Sequence, residues 1–282
     1  MAASTDADLA MRDVRTHAIG LIPAFIVCAA AVLLFGFVLP FAGYAVLAVG
    51  LGAAWLTDRS GRTSRLLPDL SLIALGQVII STISVAADIS YGNMALMGTV
   101  LALAVAVPYV LSRFVFGDRV IRFPWRTGKR WTRTQWIYLV GITVAAWLIL
   151  PFYFITSGVY QNWPTVTEPD EIARLFVGVN AVGTWDELFF ICTVFALLRR
   201  HFPTWQANLL QTIVFVSFLW ELGYQSWGPL LTIPFALIQG YTFKLTKSLT
   251  YVLVVHLIFD AFVFMVIVYA HTGVPPIFLL TP

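Results

Sequence analysis

Charge is what this sequence has least of. Lysine and arginine number 17, and aspartate and glutamate 14, among 282 residues, or 11% of the chain. Soluble domains carry about 25%. With 60% hydrophobic residues and a mean hydropathy of +0.86, this scarcity excludes a soluble globular protein and points to an all-α polytopic membrane protein. Cysteine is nearly absent too. Cys28 and Cys192 both fall in apolar runs and read as buried thiols, which excludes a disulfide framework or a metal knuckle. No internal repeat is visible, so an inverted-repeat transporter is disfavoured. The leading stretch MAASTDADLAMRDVRTHA is too polar for a cleaved signal peptide, and the first helix is expected to be retained.

Apolar runs dominate what remains. A bilayer crossing takes about 20 residues, and nine runs qualify as candidates, at 18–39, 41–57, 67–87, 93–116, 136–157, 172–198, 206–225, 228–246 and 249–271. The total becomes eight if the first pair, joined tightly at Pro40 and Gly43, is one element. Charge tests the arrangement. With the N-terminus cytoplasmic, 16 of the 17 basic residues fall on the inner side, from Arg12 and Arg15 through Arg59, Arg62, Arg65, the Arg113–Arg133 group, Arg199 and Arg200 to Lys244 and Lys247. Arg174 alone stands near the outer face, among Asp88, Glu168, Asp170 and Glu171. This follows the positive-inside rule.

The segment DRVIRFPWRTGKRWTRTQ, residues 118–135, interleaves six cations with Phe123, Trp125 and Trp131. Cytoplasmic loops are basic and tryptophan prefers the headgroup level, so membrane lipids rather than nucleic acid are the expected partner. The loop divides the chain. Residues 1–135 form a four-helix region whose one inward charge is Asp69, near a membrane edge. Residues 136–282 form a five-helix region that holds every deep ionisable group.

Two adjacent acids, Asp186 and Glu187, lie within GTWDELFFICTVFALLRR. Asp186 is 13 positions before Arg199, about 20 Å along a helix. A charge at that depth costs about 2.5–3.5 kcal/mol on insertion scales, and such residues are functional-site candidates by default. Glu221 follows in the seventh run, and His256 and Asp260 in the ninth, at helical i, i+4 spacing. Expected heights above the inner surface are about 17 Å for Asp260, 22 Å for Glu221 and 10 Å for His256. His256 therefore needs tilt or a register shift to meet the others. Asp186, Glu187, Glu221, His256 and Asp260 are expected to share one pocket. So close a set cannot fully ionise, so it either shares protons or binds a cation. A carboxylate with an imidazole can activate water and stabilise an oxyanion, and oxygen-rich sets with one histidine can also hold a divalent metal.

The order and spacing of these residues resemble the CPBP family, the CAAX-prenyl endopeptidases with the bacteriocin-processing and immunity membrane proteins of the Abi group. That family carries Glu-Glu-xxx-Arg, then Phe-xxx-His, then His-xxx-Asn or Asp. Asp186 and Glu187 stand where the double glutamate belongs, and His256 with Asp260 match the last motif. The resemblance covers about residues 136–282, with GYTFKLTKSLTYVLVVHLIFDAF similar to the family's closing segment. It implies intramembrane peptide hydrolysis, with the first acid and the second-motif histidine activating water and the later pair stabilising the oxyanion. The chain departs from the pattern at Asp186 itself, at Ile191 in place of arginine, and at Glu221 in place of the second-motif histidine, with Ser217 where phenylalanine belongs.

Three functions compete: an endopeptidase with a variant site acting on a membrane-protein or peptide substrate, a non-hydrolytic scaffold or accessory subunit of the cell envelope, and a proton or ion relay along the acids. The resemblance implies a bacterial plasma membrane.

Overall fold

The computed structural model describes residues 18–125 and 130–281. Arg12, Arg15, Arg126 and Lys129 of the inner-face assignment lie outside the described residues. Among the described residues there are nine principal helices and no strand. They are α1 (Ala18–Gly36), α2 (Pro40–Arg59), α3 (Leu66–Ile80), α4 (Tyr91–Val115), α5 (Arg133–Ser157), α6 (Pro169–Leu198), α7 (Thr204–Leu222), α8 (Pro229–Thr246) and α9 (Leu249–Thr272). Each apolar run of the sequence is one helix. Six of them, α1, α2, α4, α5, α6 and α9, are long and apolar enough to cross a membrane, so the chain is a multi-pass membrane protein. The third run is shorter than its hydropathy predicts. Ser81 Oγ and Thr82 Oγ1 donate back to the carbonyls of Val78 (2.9 Å) and Ile79 (2.7 Å), which competes with helical bonding and ends α3 there.

Helix starts follow local chemistry. Pro40 opens α2, where its missing N–H costs nothing. Thr132 and Gln135 form a reciprocal capping box on α5, and Glu168 with Glu171 do so on α6. Ser248 caps α9 by accepting from the Tyr251 amide, satisfying an otherwise orphaned donor.

α6 is the most enclosed of the six long helices and α2 the least. α6 changes character midway. It is α-helical to Asp186 and π-helical from Glu187 to Phe195. The Thr193 hydroxyl donates to the Leu188 carbonyl five residues back, in step with the wider turn. Trp185 stacks on Phe189 at 5.1 Å, and Phe190 on Phe215 of α7 at 4.4 Å, so aromatic packing holds the widened stretch. π-segments of this kind are frequent at functional sites.

The largest apolar core joins Phe35 of α1, Leu70 of α3 and Leu101 of α4 to Phe189, Phe190, Phe215 and Phe218. It therefore draws on both sides of the loop at residue 135. A second core lies between α5 and α9, with Tyr153, Phe154, Val263 and Ile267. At the end of the bundle that the charge pattern assigns to the inner side, Asp69 is buried and bonds His201 at 2.6 Å and Arg200 at 3.3 Å. Arg200 also pairs with Asp118, which Arg65 approaches at 3.3 Å. Burial pushes the Asp118 carboxyl up. The Arg200 hydrogen bond, the Arg119 amide and the charges of Arg200 and Arg65 outweigh it and leave the group below its ordinary value. This cluster clasps α3, the α6–α7 turn and the segment after α4.

Candidate active site

Asp186 and Glu187 sit at the junction of the α and π parts of α6, and both are buried. α9, which packs along α6 and α5, brings His256 and Asp260 against them. His256 Nδ1 lies 2.7 Å from Glu187 Oε1. Its Nε2 lies 3.6 Å from Asp186 Oδ2 and 3.8 Å from Asp260 Oδ1. His256 thus meets both acids despite the height difference expected from the sequence. A π-turn takes more residues per turn than an α-turn, which shortens α6 between Asp186 and Arg199 and narrows that difference in part.

An ionised carboxylate only accepts, so the Glu187 contact places a proton on His256 Nδ1 and turns Nε2 towards Asp186 and Asp260. The imidazole is held on its faces by Phe235 of α8, edge-on at 5.0 Å, and by Phe215 of α7 at 6.2 Å. Asp260 can approach α6 because position 183 is glycine. A Cβ there would lie 1.8 Å from Asp260 Oδ2.

A cavity of about 750 Å³ opens beside this group. Asp186, His256 and Asp260 line it, and Glu187 does not. Its other walls are mainly apolar, among them Leu101, Leu150, Phe235 and Val263. Glu187 thus stands behind the imidazole, while the two aspartates face the open space. Asp186 Oδ1, Glu187 Oε2 and Asp260 Oδ2 are buried with no hydrogen-bond partner, so the cluster has unspent acceptor capacity.

Glu221 does not join the set. It lies six residues beyond Phe215, roughly 240° around the helix and 9 Å further along. Its Oε1 instead accepts from the Val85 amide at 3.1 Å and the Ser84 hydroxyl at 3.4 Å. The structure therefore brings four of the five residues together, three of them on the cavity wall. Glu221 tethers the α3–α4 loop, whose other end Arg174 holds through the Ile89 carbonyl at 2.6 Å. Ala87, Asp88 and Ile89 of that loop line the outer end of the cavity.

Three features escaped sequence reasoning. The α7 residues on the cavity wall are Leu219 and Leu222, four after Phe215 and Phe218, so the Phe-xxx-His spacing ends in an apolar group in either register. Tyr224, in the α7–α8 connection, lines the cavity. Its ring packs on Trp163 at 5.1 Å and Phe154 at 5.9 Å. Gln239 of α8, fully buried, donates to Glu187 Oε1 at 2.6 Å and to the Val252 carbonyl at 3.1 Å. Its signal was a lone buried amide beside Gly240 in an apolar helix.

The cluster's composition left two alternatives open, a divalent metal or shared protons. Among the described residues no three His, Cys, Asp or Glu side chains are grouped so as to hold a metal ion, and His256 Nδ1 is engaged by Glu187.

Residues 168–262 match the family model described as Rce1-like, type II CAAX prenyl endopeptidase Rce1-like. The matched stretch runs from the α6 capping box through Asp260 and contains all four clustered residues. No curated protein and no solved structure matches the chain.

Proposed function

We propose, from the Rce1-like CAAX prenyl endopeptidase domain at residues 168–262, that this chain is an intramembrane endopeptidase with a variant site. The observation that carries the proposal is the grouping of Asp186, His256 and Asp260 on one wall of a largely apolar cavity. Asp186 acts as general base. Its carboxylate takes a proton from water while the water oxygen attacks the scissile carbonyl carbon. The C–N bond then breaks as that proton passes to the leaving nitrogen. His256, with Nδ1–H held on Glu187, donates from Nε2–H in its protonated form to the developing oxyanion. Asp260, when it carries a proton, donates to the same oxygen, as an asparagine would. No step passes through a metal.

An apolar cavity with few polar groups suits a peptide tethered to a lipid chain. The proposed substrate is the carboxyl-terminal peptide of a prenylated protein, reached from the cell membrane, with membrane lipids as surrounding partners. Protein reconstituted in lipid nanodiscs is expected to release the terminal peptide from a farnesylated substrate. Asp186→Asn and His256→Ala are each expected to lower kcat by about 10²–10⁴-fold, the range for a positioned acid or base. Unchanged cleavage by both folded variants would overturn the assignment.

A non-hydrolytic scaffold is the second reading. It is favoured by Leu219, which leaves α7 without a polar group on the cavity wall. Rescue of a deletion phenotype by a chain with Asp186, Glu187, His256 and Asp260 all neutralised would establish it over the first.

A further inference from the structure

We propose that Gln239 is a positioning residue that sets the tautomer and aim of His256. The inference rests on the peptidase reading of the site. Gln239 does not line the cavity, and among the described residues its amide bonds Glu187 and the Val252 carbonyl, not His256. Its amide Nε2 bridges Glu187 Oε1 at 2.6 Å and the Val252 carbonyl at 3.1 Å. Val252 is four residues before His256 on α9, so its carbonyl belongs to the helical turn that carries the imidazole. One amide of α8 therefore fixes the distance between the Glu187 carboxylate on α6 and the base of the histidine turn on α9.

Glu187 Oε1 receives both Gln239 Nε2 and His256 Nδ1. Its other oxygen, Oε2, has no partner. Without the Gln239 donor, His256 Nδ1 is the one remaining hydrogen-bond partner of the carboxylate among the described residues, and Oε1 can rotate away from the imidazole. Nδ1 then loses its acceptor, and Nε2 loses its fixed direction toward Asp186 and Asp260. Gln239 itself is anchored by its α8 backbone, and α8 sits close on α7 because Gly240 leaves room for Asn208, whose Oδ1 lies 1.9 Å from the place a Cβ would occupy. Asn208 Nδ2 in turn donates to the Leu237 carbonyl at 2.7 Å. The position of the amide is thus set by helix packing and not by substrate.

The experiment compares wild type with Gln239→Met, which keeps the volume and removes the donor, and Gln239→Asn, which keeps the amide one methylene short. In nanodiscs, both are expected to lower kcat about 100-fold, the effect of misplacing a catalytic group by about 1 Å, with KM within twofold. The double variant Gln239→Met/Glu187→Gln is expected to be no slower than Glu187→Gln alone, because the amide acts only through that carboxylate. Multiplying losses in that cycle would overturn the proposal and leave Gln239 a packing residue. A readout free of turnover comes from ¹⁵N-histidine NMR, with the His256 signal assigned by His256→Gln. Wild type is expected to show Nδ1 protonated, and the Gln239 variants a shifted tautomer balance. An unchanged His256 spectrum in a folded variant would overturn this inference, even where cleavage is normal. A wild-type protein that cleaves nothing, while the spectrum shifts as expected, overturns the peptidase reading and not this one.

Discussion

Adding one methyl group at Gly183 is expected to disarm the site without altering any ionisable residue. The new Cβ would stand 1.8 Å from Asp260 Oδ2 and 2.8 Å from its Cγ, where ordinary contact begins at 3.4 Å. The oxygen must therefore retreat by about 1.6 Å, the difference between those two separations. Asp260 is a side-chain end on α9, so it can swing aside. The cost in stability then falls at the low end of the overpacking range, about 1 kcal/mol, a Tm loss of roughly 2–4 °C for a chain of this size. Catalysis has no such slack, since misplacing a reacting group by about 1 Å costs about 10²-fold. Gly183→Ala should thus unfold nearly as late as wild type in thermal scans and cleave about 100-fold more slowly in nanodiscs. Asp260→Ala removes the obstructed atoms, so Gly183→Ala should cost no further stability in that background. Additive Tm losses in the double variant, or a normal rate in the single one, would refute the geometry.

Other outcomes follow from the same contacts. Asp118, held below the ordinary carboxylate range, stabilises the inner-face clasp above that range and loses the contribution as pH falls through its lowered value. Asp118→Asn should therefore reduce Tm at neutral pH, with the difference from wild type shrinking below about pH 4, as followed by thermal scans across pH. Glu221→Gln retains an acceptor for the Val85 amide and should leave kcat near wild type; a loss matching Asp186→Asn would return Glu221 to the chemistry. Elemental analysis of the purified protein should find no stoichiometric divalent metal; one ion per chain, lost together with Asp186→Ala, would contradict the proton-sharing picture.

Hydropathy and charge alone located every helix, because lipid imposes both length and sign asymmetry on the sequence. The i, i+4 pair of His256 and Asp260 was legible for the same kind of reason: α9 is regular and its geometry follows from counting. What counting missed lies where the helix departs from regularity or where rotation decides. The π-turns from Glu187 to Phe195 brought Asp186 part of the way toward the level of His256. Nothing in ELFFICTVF marks them except bulky aromatics, and the partners of those rings lie on α3, α4 and α7. Glu221 missed in both depth and azimuth, lying about 9 Å along α7 and roughly 240° around it from the side chain that marks the site, and both need a reference side chain. Phe215, against His256, is that reference, and it became visible only in three dimensions. Gln239 belonged to no motif and drew no attention, although an uncapped amide in an apolar helix must find partners or bear a desolvation cost.

The two neighbouring acids illustrate how a motif of identical chemistry is divided by one residue of helical rotation. Asp186 and Glu187 are about 100° apart, and the imidazole of His256 enters between their directions. The shorter side chain ends at the cavity wall, 3.6 Å from Nε2, and the longer one reaches behind the ring to Nδ1 at 2.7 Å. A carboxylate that meets water can take and return a proton. One sealed behind an imidazole, with a buried amide on the same oxygen, can only orient and stabilise it. Length matters in each place. Aspartate at 186 stops 3.6 Å from the ring, whereas an aspartate at 187 would fall a methylene short of both His256 and Gln239. The departure from a double glutamate therefore falls at the one position of the pair where a shorter acid is compatible with the geometry.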